Sequence, residues 1–236
     1  MPAVAARYRA VLFDALGTLV ELEPPSPRLR ATLEARHGIQ VSEQEARAAM
    51  LAEMSFYREH HAEGSDPRSL AGLRRRCASV LRERLPQAGT LSLDEVTELL
   101  LDAIRFTPYP DAAYALAALR EAGARLGVVS NWDSSLPRVL SNVGLGAVLS
   151  TVVTSAEVGV TKPDPRIFEI ALERLRCDPE EAVFVGDSLE TDVAGARAAG
   201  MRAFLIDRSP GGERNGAEER IFSLTDLLSL LLPASA

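Results

Sequence analysis

Cysteine, lysine, histidine and aromatic side chains are all scarce in this 236-residue chain: two Cys, three His, 5% aromatics and a single Lys. Cys77 and Cys177 are too few for a disulfide framework or a thiolate metal site, which points to a reducing compartment, the cytoplasm. No stretch approaches the ~18 apolar residues of a membrane span, and the leucine-rich candidate, Leu227 to Leu232, is far too short. Arg7 and Arg9 run straight into a strand-like segment with no apolar signal core, so no signal peptide is expected. Positive charge is in deficit too. Lys plus Arg number 26 against 33 Asp plus Glu, a net charge of -7, which repels phosphate backbones and argues against nucleic acid as a partner. The lysine shortage is the odd one, because every basic residue but Lys162 is arginine. A general arginine bias explains the shortage. It does not explain why one lysine survives.

What is there is a globular composition, 47% hydrophobic and 25% charged, long enough for one large domain or a domain with an inserted module. Arg9 to Phe13 reads as a short buried strand ending on Asp14. Gly17-Thr18 and the Pro-rich stretch 23–27, read as a turn or linker, follow it. From there to about Arg105 strand signals are nearly absent. Helical periodicity covers 28–37, 42–61, 66–85 and 92–105, with capping-box starts at Ser42/Glu45 and Ser92/Glu95. After Pro108-Tyr109-Pro110 the texture changes. Strands at 125–130, 152–153, 182–185 and 202–206 alternate with helices at 111–122, 135–143, 165–175 and 191–199. A loop at 211–216 and a last helix at 224–232 close the chain. Short apolar strands alternating with amphipathic helices predict an α/β fold with a doubly wound parallel sheet. The expected division is a core of 1–21 and 106–236, with a helical module, 22–105, inserted after the first strand.

In open parallel sheets the ligand crevice lies at the carboxyl ends of the strands. That rule selects Asp14, Ser130-Asn131 and Gly186-Asp187. Asp187 and Asp192, five apart across a strand-to-helix junction, suit a hard cation, or else cap the next helix. Ser130-Asn131 offers a hydroxyl and backbone amides to an anion. Lys162, just before a helix, can counter a phosphoryl group and a nearby carboxylate.

The segments Phe13-Asp-Ala-Leu-Gly-Thr-Leu19, Val129-Ser-Asn131, Lys162-Pro-Asp-Pro165 and Gly186-Asp-Ser-Leu-Glu-Thr-Asp-Val-Ala-Gly-Ala196 occur in that order. In them the chain resembles the haloacid dehalogenase-like superfamily of hydrolases, over essentially its whole length. The resemblance implies a Rossmann-like core with the helical insert as a cap. It implies Asp14 as nucleophile toward a small phosphorylated substrate, with Thr18, Ser130, Asn131 and Lys162 around the phosphoryl group. It also implies Mg²⁺ held by Asp14, the Leu16 carbonyl and Asp187, with Asp192 supporting the metal shell. The expected assembly is a monomer, with a dimer left open.

One departure matters. Phosphatases of this superfamily usually carry a second Asp two residues after the nucleophile as general acid and base, and here that place is Leu16. Losing acid–base catalysis removes typically ~10²–10⁴ in rate, roughly 3–5 kcal/mol of barrier. Three readings stay open: a phosphatase whose substrate leaves easily or whose proton donor lies elsewhere (His37, His60 and His61 being candidates), a 2-haloacid dehalogenase, and a non-catalytic binder of a phosphorylated ligand or a protein. Against dehalogenation stands Asp187, where those enzymes carry neutral polar residues. Phosphonatase-type chemistry needs a second lysine, and the chain has none.

Overall fold

A computed structural model describes residues 8–209 and 219–232, so the loop expected at 211–216 lies outside the described residues. The chain divides into two compact units, Met1–Glu21 with Pro108–Ala236, and Leu22–Thr107. The crossings fall at two three-residue strands, β2 (Val20–Leu22) and β3 (Phe106–Pro108), which pair as a separate ribbon.

The larger unit is built on six strands: β1 (Ala10–Phe13), β4 (Arg125–Ser130), β5 (Thr151–Thr154), β6 (Ala182–Gly186), β7 (Arg202–Ile206) and β8 (Arg220–Ile221). Their order is β5-β4-β1-β6-β7-β8, parallel throughout. Every residue of β1 and β6 is buried. That is why these strands read as unbroken apolar runs, since a parallel sheet is covered on both faces and has no polar side to alternate with. Helix α8 (Arg166–Leu175) shows the matching pattern, burying Ile167, Phe168, Ala171, Leu172 and Leu175 along one stripe. Phe168 meets Phe184 edge-on, with ring centroids 5.0 Å apart. Burying each such Leu or Phe contributes ~1.5–3 kcal/mol.

The other unit holds four helices, α1 (Pro25–His37), α2 (Glu43–His60), α3 (Pro67–Glu83) and α4 (Leu93–Ala103), around Leu29, Leu33, Met50, Leu73, Leu81 and Leu99. Both expected capping boxes form: the Ser42 and Ser92 side chains accept from the Glu45 and Glu95 amides, and each glutamate accepts in return. The Pro-rich stretch is not a linker. The first helix starts at Pro25, because a proline in the first turn gives up only an N–H that has no helical partner anyway.

The remaining helices are α5 (Ala112–Glu121), α6 (Leu136–Asn142), α7 (Ser155–Val158), α9 (Ala194–Ala198) and α10 (Leu224–Leu231). The helix expected at 191–199 instead begins as a wide turn. The Val193 amide donates to Ser188 O, five residues back, and regular helix starts only at Ala194. Such widened turns occur often at functional sites.

Candidate active site

Strand order sets the geometry of the site. β1 lies between β4 and β6, so its carboxyl end is flanked by theirs: Phe13 pairs with Val128 on one side and Val185 on the other. Asp14 continues the ladder one step, its amide donating to Val185 O at 2.8 Å. Ser130 ends β4, and Asp187 directly follows β6.

Lys162 comes from the loop before α8 and is almost wholly buried. Its ammonium donates to Asp14 Oδ1 at 2.6 Å and to Asp192 Oδ1 at 2.5 Å. Ser130 Oγ donates to the same Asp14 oxygen at 2.9 Å. Burial by itself would lower the Lys162 pKa, yet the charges of Asp14 and Asp192, and the hydrogen bonds to them, outweigh it and raise it above its ordinary value. The cation is therefore fixed. Arginine could not replace it, because a planar five-donor fork does not fit a point between two buried carboxylate oxygens.

Asn131 was expected at a phosphate, and its side chain has another task. Its Oδ1 accepts from the Lys162 amide at 2.8 Å, and its Nδ2 donates to the Lys162 carbonyl at 3.1 Å. The side chain clasps the lysine backbone and so aims the ammonium, rather than facing an anion. Thr18, also expected at the phosphate, is fully buried, and its hydroxyl makes no hydrogen bond to Asp14, Ser130 or Lys162. Leu16 presents an exposed side chain, while its backbone bridges to Val20.

The wide turn after β6 swings Asp192 back over the strand end. Its Oδ2 accepts from the Ser188 amide at 3.1 Å. Burial and the Asp14 charge raise the Asp192 pKa, against the pull of Lys162. Asp187 is open to solvent at its outer edge, but protein atoms crowd its carboxyl. Lost hydration, then the charges of Asp14 and Asp192, push it up to about 6.

One carboxylate oxygen each from Asp14, Asp187 and Asp192 lie within 4.8 Å of one another. Two glycines make room for this crowding. A Cβ at Gly17, whose φ is +81°, would overlap the Asp187 carboxylate, and one at Gly186 would overlap that of Asp192. Three carboxylates face one ammonium, leaving two negative charges to neutralise. An all-oxygen, net-anionic donor set fits a hard divalent cation. Asp192 has both oxygens engaged, by Lys162 and by the Ser188 amide, whereas Lys162 and Ser130 share a single oxygen of Asp14, so Asp14 and Asp187 are the carboxylates open to direct binding.

Arg208 and Tyr109 escaped the sequence reading as residues beside the site. A cleft of about 480 Å³ beside Gly17 and Asp187 is also lined by Tyr109, Asp207, Arg208 and Ser209. Arg208 stands two residues past the end of β7, the strand next to β6. The rule that selected Asp14, Ser130 and Asp187 points there as well, had it been extended one strand further.

Sequence and structure comparisons identify the family. A family model described as haloacid dehalogenase-like hydrolase matches residues 8–200. Glyceraldehyde 3-phosphate phosphatase of Methanopyrus kandleri is 34% identical, the match covering 85% of this chain and 84% of that protein. (S)-2-haloacid dehalogenase 1 of a Pseudomonas species is 31% identical over 95% of this chain and 96% of its own. A solved HAD phosphatase from Thermococcus onnurineus superposes with a TM-score of 0.64 at 31% identity, covering 94% of this chain and 97% of that one. Phosphatases and a dehalogenase alike thus match it over most of their length, and what they have in common is what this chain is: an enzyme of the haloacid dehalogenase-like hydrolase family.

Proposed function

We propose that this hydrolase is a Mg²⁺-dependent phosphatase of the cytoplasm, acting on a small phosphorylated metabolite through a phosphorylated Asp14. One observation carries the reading: Asp187 puts a second carboxylate beside Asp14, in a cluster whose excess negative charge a divalent cation would neutralise. Without a cation, a second carboxylate there would repel the negative charge of the nucleophile. The phosphatase names of the Methanopyrus and Thermococcus relatives support the same choice, and two free buried cysteines suit a reducing compartment. One copy of the chain supplies every residue of the site, in keeping with a monomer.

Asp14, the Leu16 carbonyl and Asp187 would hold Mg²⁺, which when bound neutralises phosphoryl oxygens and lowers the repulsion between two anions. Ser130 and Lys162 fix the Asp14 carboxylate by holding Oδ1. That carboxylate attacks phosphorus, a new O–P bond forms, and the bond to the leaving oxygen breaks with its electron pair going to that oxygen. Lys162 stays protonated beside the growing charge. Water then cleaves the acyl phosphate, returning the carboxylate and inorganic phosphate. With Leu16 in place of the usual acid, the favoured substrates are those whose leaving oxygen needs no proton, such as acyl phosphates and anhydrides.

A second reading, 2-haloacid dehalogenase, is favoured by Leu16 and by the Pseudomonas relative. The experiment that separates them is a phosphate-release screen over sugar, nucleotide and acyl phosphates, with and without Mg²⁺, beside Asp14→Asn. Release that needs Mg²⁺ and vanishes in the variant is expected. Chloride release from 2-chloropropionate with Mg²⁺ chelated would install the dehalogenase instead. Neither product, together with no trappable phospho-Asp14, would leave a non-catalytic binder.

A further inference from the structure

Arg208 makes three kinds of contact with one side chain. Its NH1 donates to both carboxylate oxygens of Asp111, at 3.0 and 2.9 Å. Its NH2 donates to the carbonyl of Thr18 at 2.6 Å. Its guanidinium lies over the Tyr109 ring, 3.9 Å from the centroid. Neither partner of the ion pair is loose, their side chains being 16% and 14% exposed. Asp111 is anchored in turn, since its Oδ2 also accepts from the Leu224 amide at 2.8 Å, in the first turn of α10.

Thr18 belongs to the loop that carries the nucleophile. That loop closes on itself: the Leu19 and Val20 amides both donate to Ala15 O at 2.9 Å, and Gly17 N donates to Val20 O at 2.8 Å. Its upstream end is fixed by β1. Its downstream end is held by Tyr109 N, which donates to Leu19 O at 3.0 Å, and by Arg208 on Thr18 O. Between those anchors lie Asp14, the Leu16 carbonyl, and Gly17, against which the Asp187 carboxylate packs.

We propose that Arg208 is a positioning residue of this active site: by clamping the Thr18 carbonyl to Asp111 and Tyr109, it sets the position of the 14–18 loop relative to Asp187. Lysine is a poor substitute, because Asp111 and the Thr18 carbonyl are held by two different nitrogens of one planar fork, and an ammonium offers a single nitrogen. Misplacing a reacting group by an ångström lowers turnover by up to ~100-fold without touching substrate affinity. The kinetic consequence rests on the phosphatase reading; the clamp itself does not.

The test compares Arg208→Met, Arg208→Lys and Arg220→Met, the last breaking the neighbouring Arg220–Asp207 ion pair. Amide exchange over 15–20 and steady-state hydrolysis of acetyl phosphate with Mg²⁺ are the readouts. Arg208→Met is expected to speed exchange at least about tenfold and lower kcat about 10- to 100-fold, with KM within about threefold. Arg208→Lys should regain thermal stability but neither kcat nor slow exchange, and it serves as the test if the Met variant does not fold. Arg220→Met should lower stability alone. Unchanged exchange in the Arg208 variants overturns the clamp, and so does full kcat in Arg208→Lys. A wild-type protein releasing no phosphate sinks the phosphatase reading, and exchange then decides the clamp by itself.

Discussion

Both units bury carboxylates, and they treat them in opposite ways. In the α/β unit, Asp14 and Asp192 share a buried ammonium, and each makes a direct ion pair with it. In the helical unit, Glu53 on α2 is 3% exposed and has no ion-pair partner among the described residues; its hydrogen-bond partner is the Cys77 thiol. Burial therefore raises the Glu53 pKa, with only that thiol pulling the other way. Burial raises the Asp192 pKa as well, but there the Lys162 ammonium pulls it back down, and no charge does so at Glu53. Burial of an acid alone does not mark a site. Burial with a built-in opposite charge does.

Removing the counter-charge should break this contrast most violently. In Lys162→Met, Asp14 and Asp192 become buried acids without a cation. Stripping one partner from a buried pair typically costs ~3–5 kcal/mol. The nucleophile also loses the ammonium that holds its Oδ1, and phosphate release should fall at least ~10³-fold. Urea denaturation and a single-turnover assay measure the two effects. A variant that keeps its stability would mean the core carboxylates do not depend on Lys162.

The opposite change adds an acid. Leu16 is 41% exposed, so an aspartate there meets water and incurs little desolvation. Leu16→Asp is expected to raise turnover of alkyl phosphate esters about tenfold or more, while acyl phosphates gain little because their leaving group needs no proton. Equal gains on both substrates, or a loss on esters, would count against a missing proton donor as the reason for slow ester turnover.

This contrast also explains what the sequence disclosed. The parallel sheet was legible because both faces of β1 and β6 are covered, which leaves an apolar run no helix or half-exposed strand would show. Asp14, Ser130 and Asp187 were legible because strand ends in such a sheet point into one crevice. Lys162 was legible by scarcity. The side-chain role of Asn131 was not, because clasping the Lys162 backbone depends on two loops 31 residues apart meeting at hydrogen-bond distance, and spacing carries no trace of that. The start of α1 was misread because prolines signal breaks unless they fall in a first turn. Strands β2, β3 and β8, of two or three residues, are too short to show any periodicity. Glu53 gave no signal either, since a glutamate on a long helix is ordinarily on its wet face.

Asp187 stands between the two cases, partly exposed and with its pKa at about 6 rather than 3.8. A folded-state pKa above the unfolded one means that the metal-free protein holds this proton more tightly when folded. The associated stability is present below about pH 4 and declines as pH rises toward about 6. A cation must displace that proton, so Mg²⁺ affinity should climb with pH to about 6 and level off above it. Calorimetric titration with Mg²⁺ is expected to give affinity about tenfold weaker at pH 5 than at pH 7. A flat profile over that range would show that Asp187 is not a ligand.

The smallest effect belongs to Glu53 itself, and it tests the helical side of the comparison. Its raised pKa gives a stability term that is fully present below about 4.5, its unfolded value, and is lost as pH rises through the folded value. Gln has the same shape, still accepts from the Cys77 thiol, and has no proton to lose. Glu53→Gln should therefore match the wild-type protein in urea at pH 4 and be the more stable of the two at pH 8. If the variant is less stable at both pH values by the same amount, Glu53 is held by something other than its neutral form. The two units would then handle buried charge alike, and the pairing with Lys162 would lose its meaning as the mark of the active site.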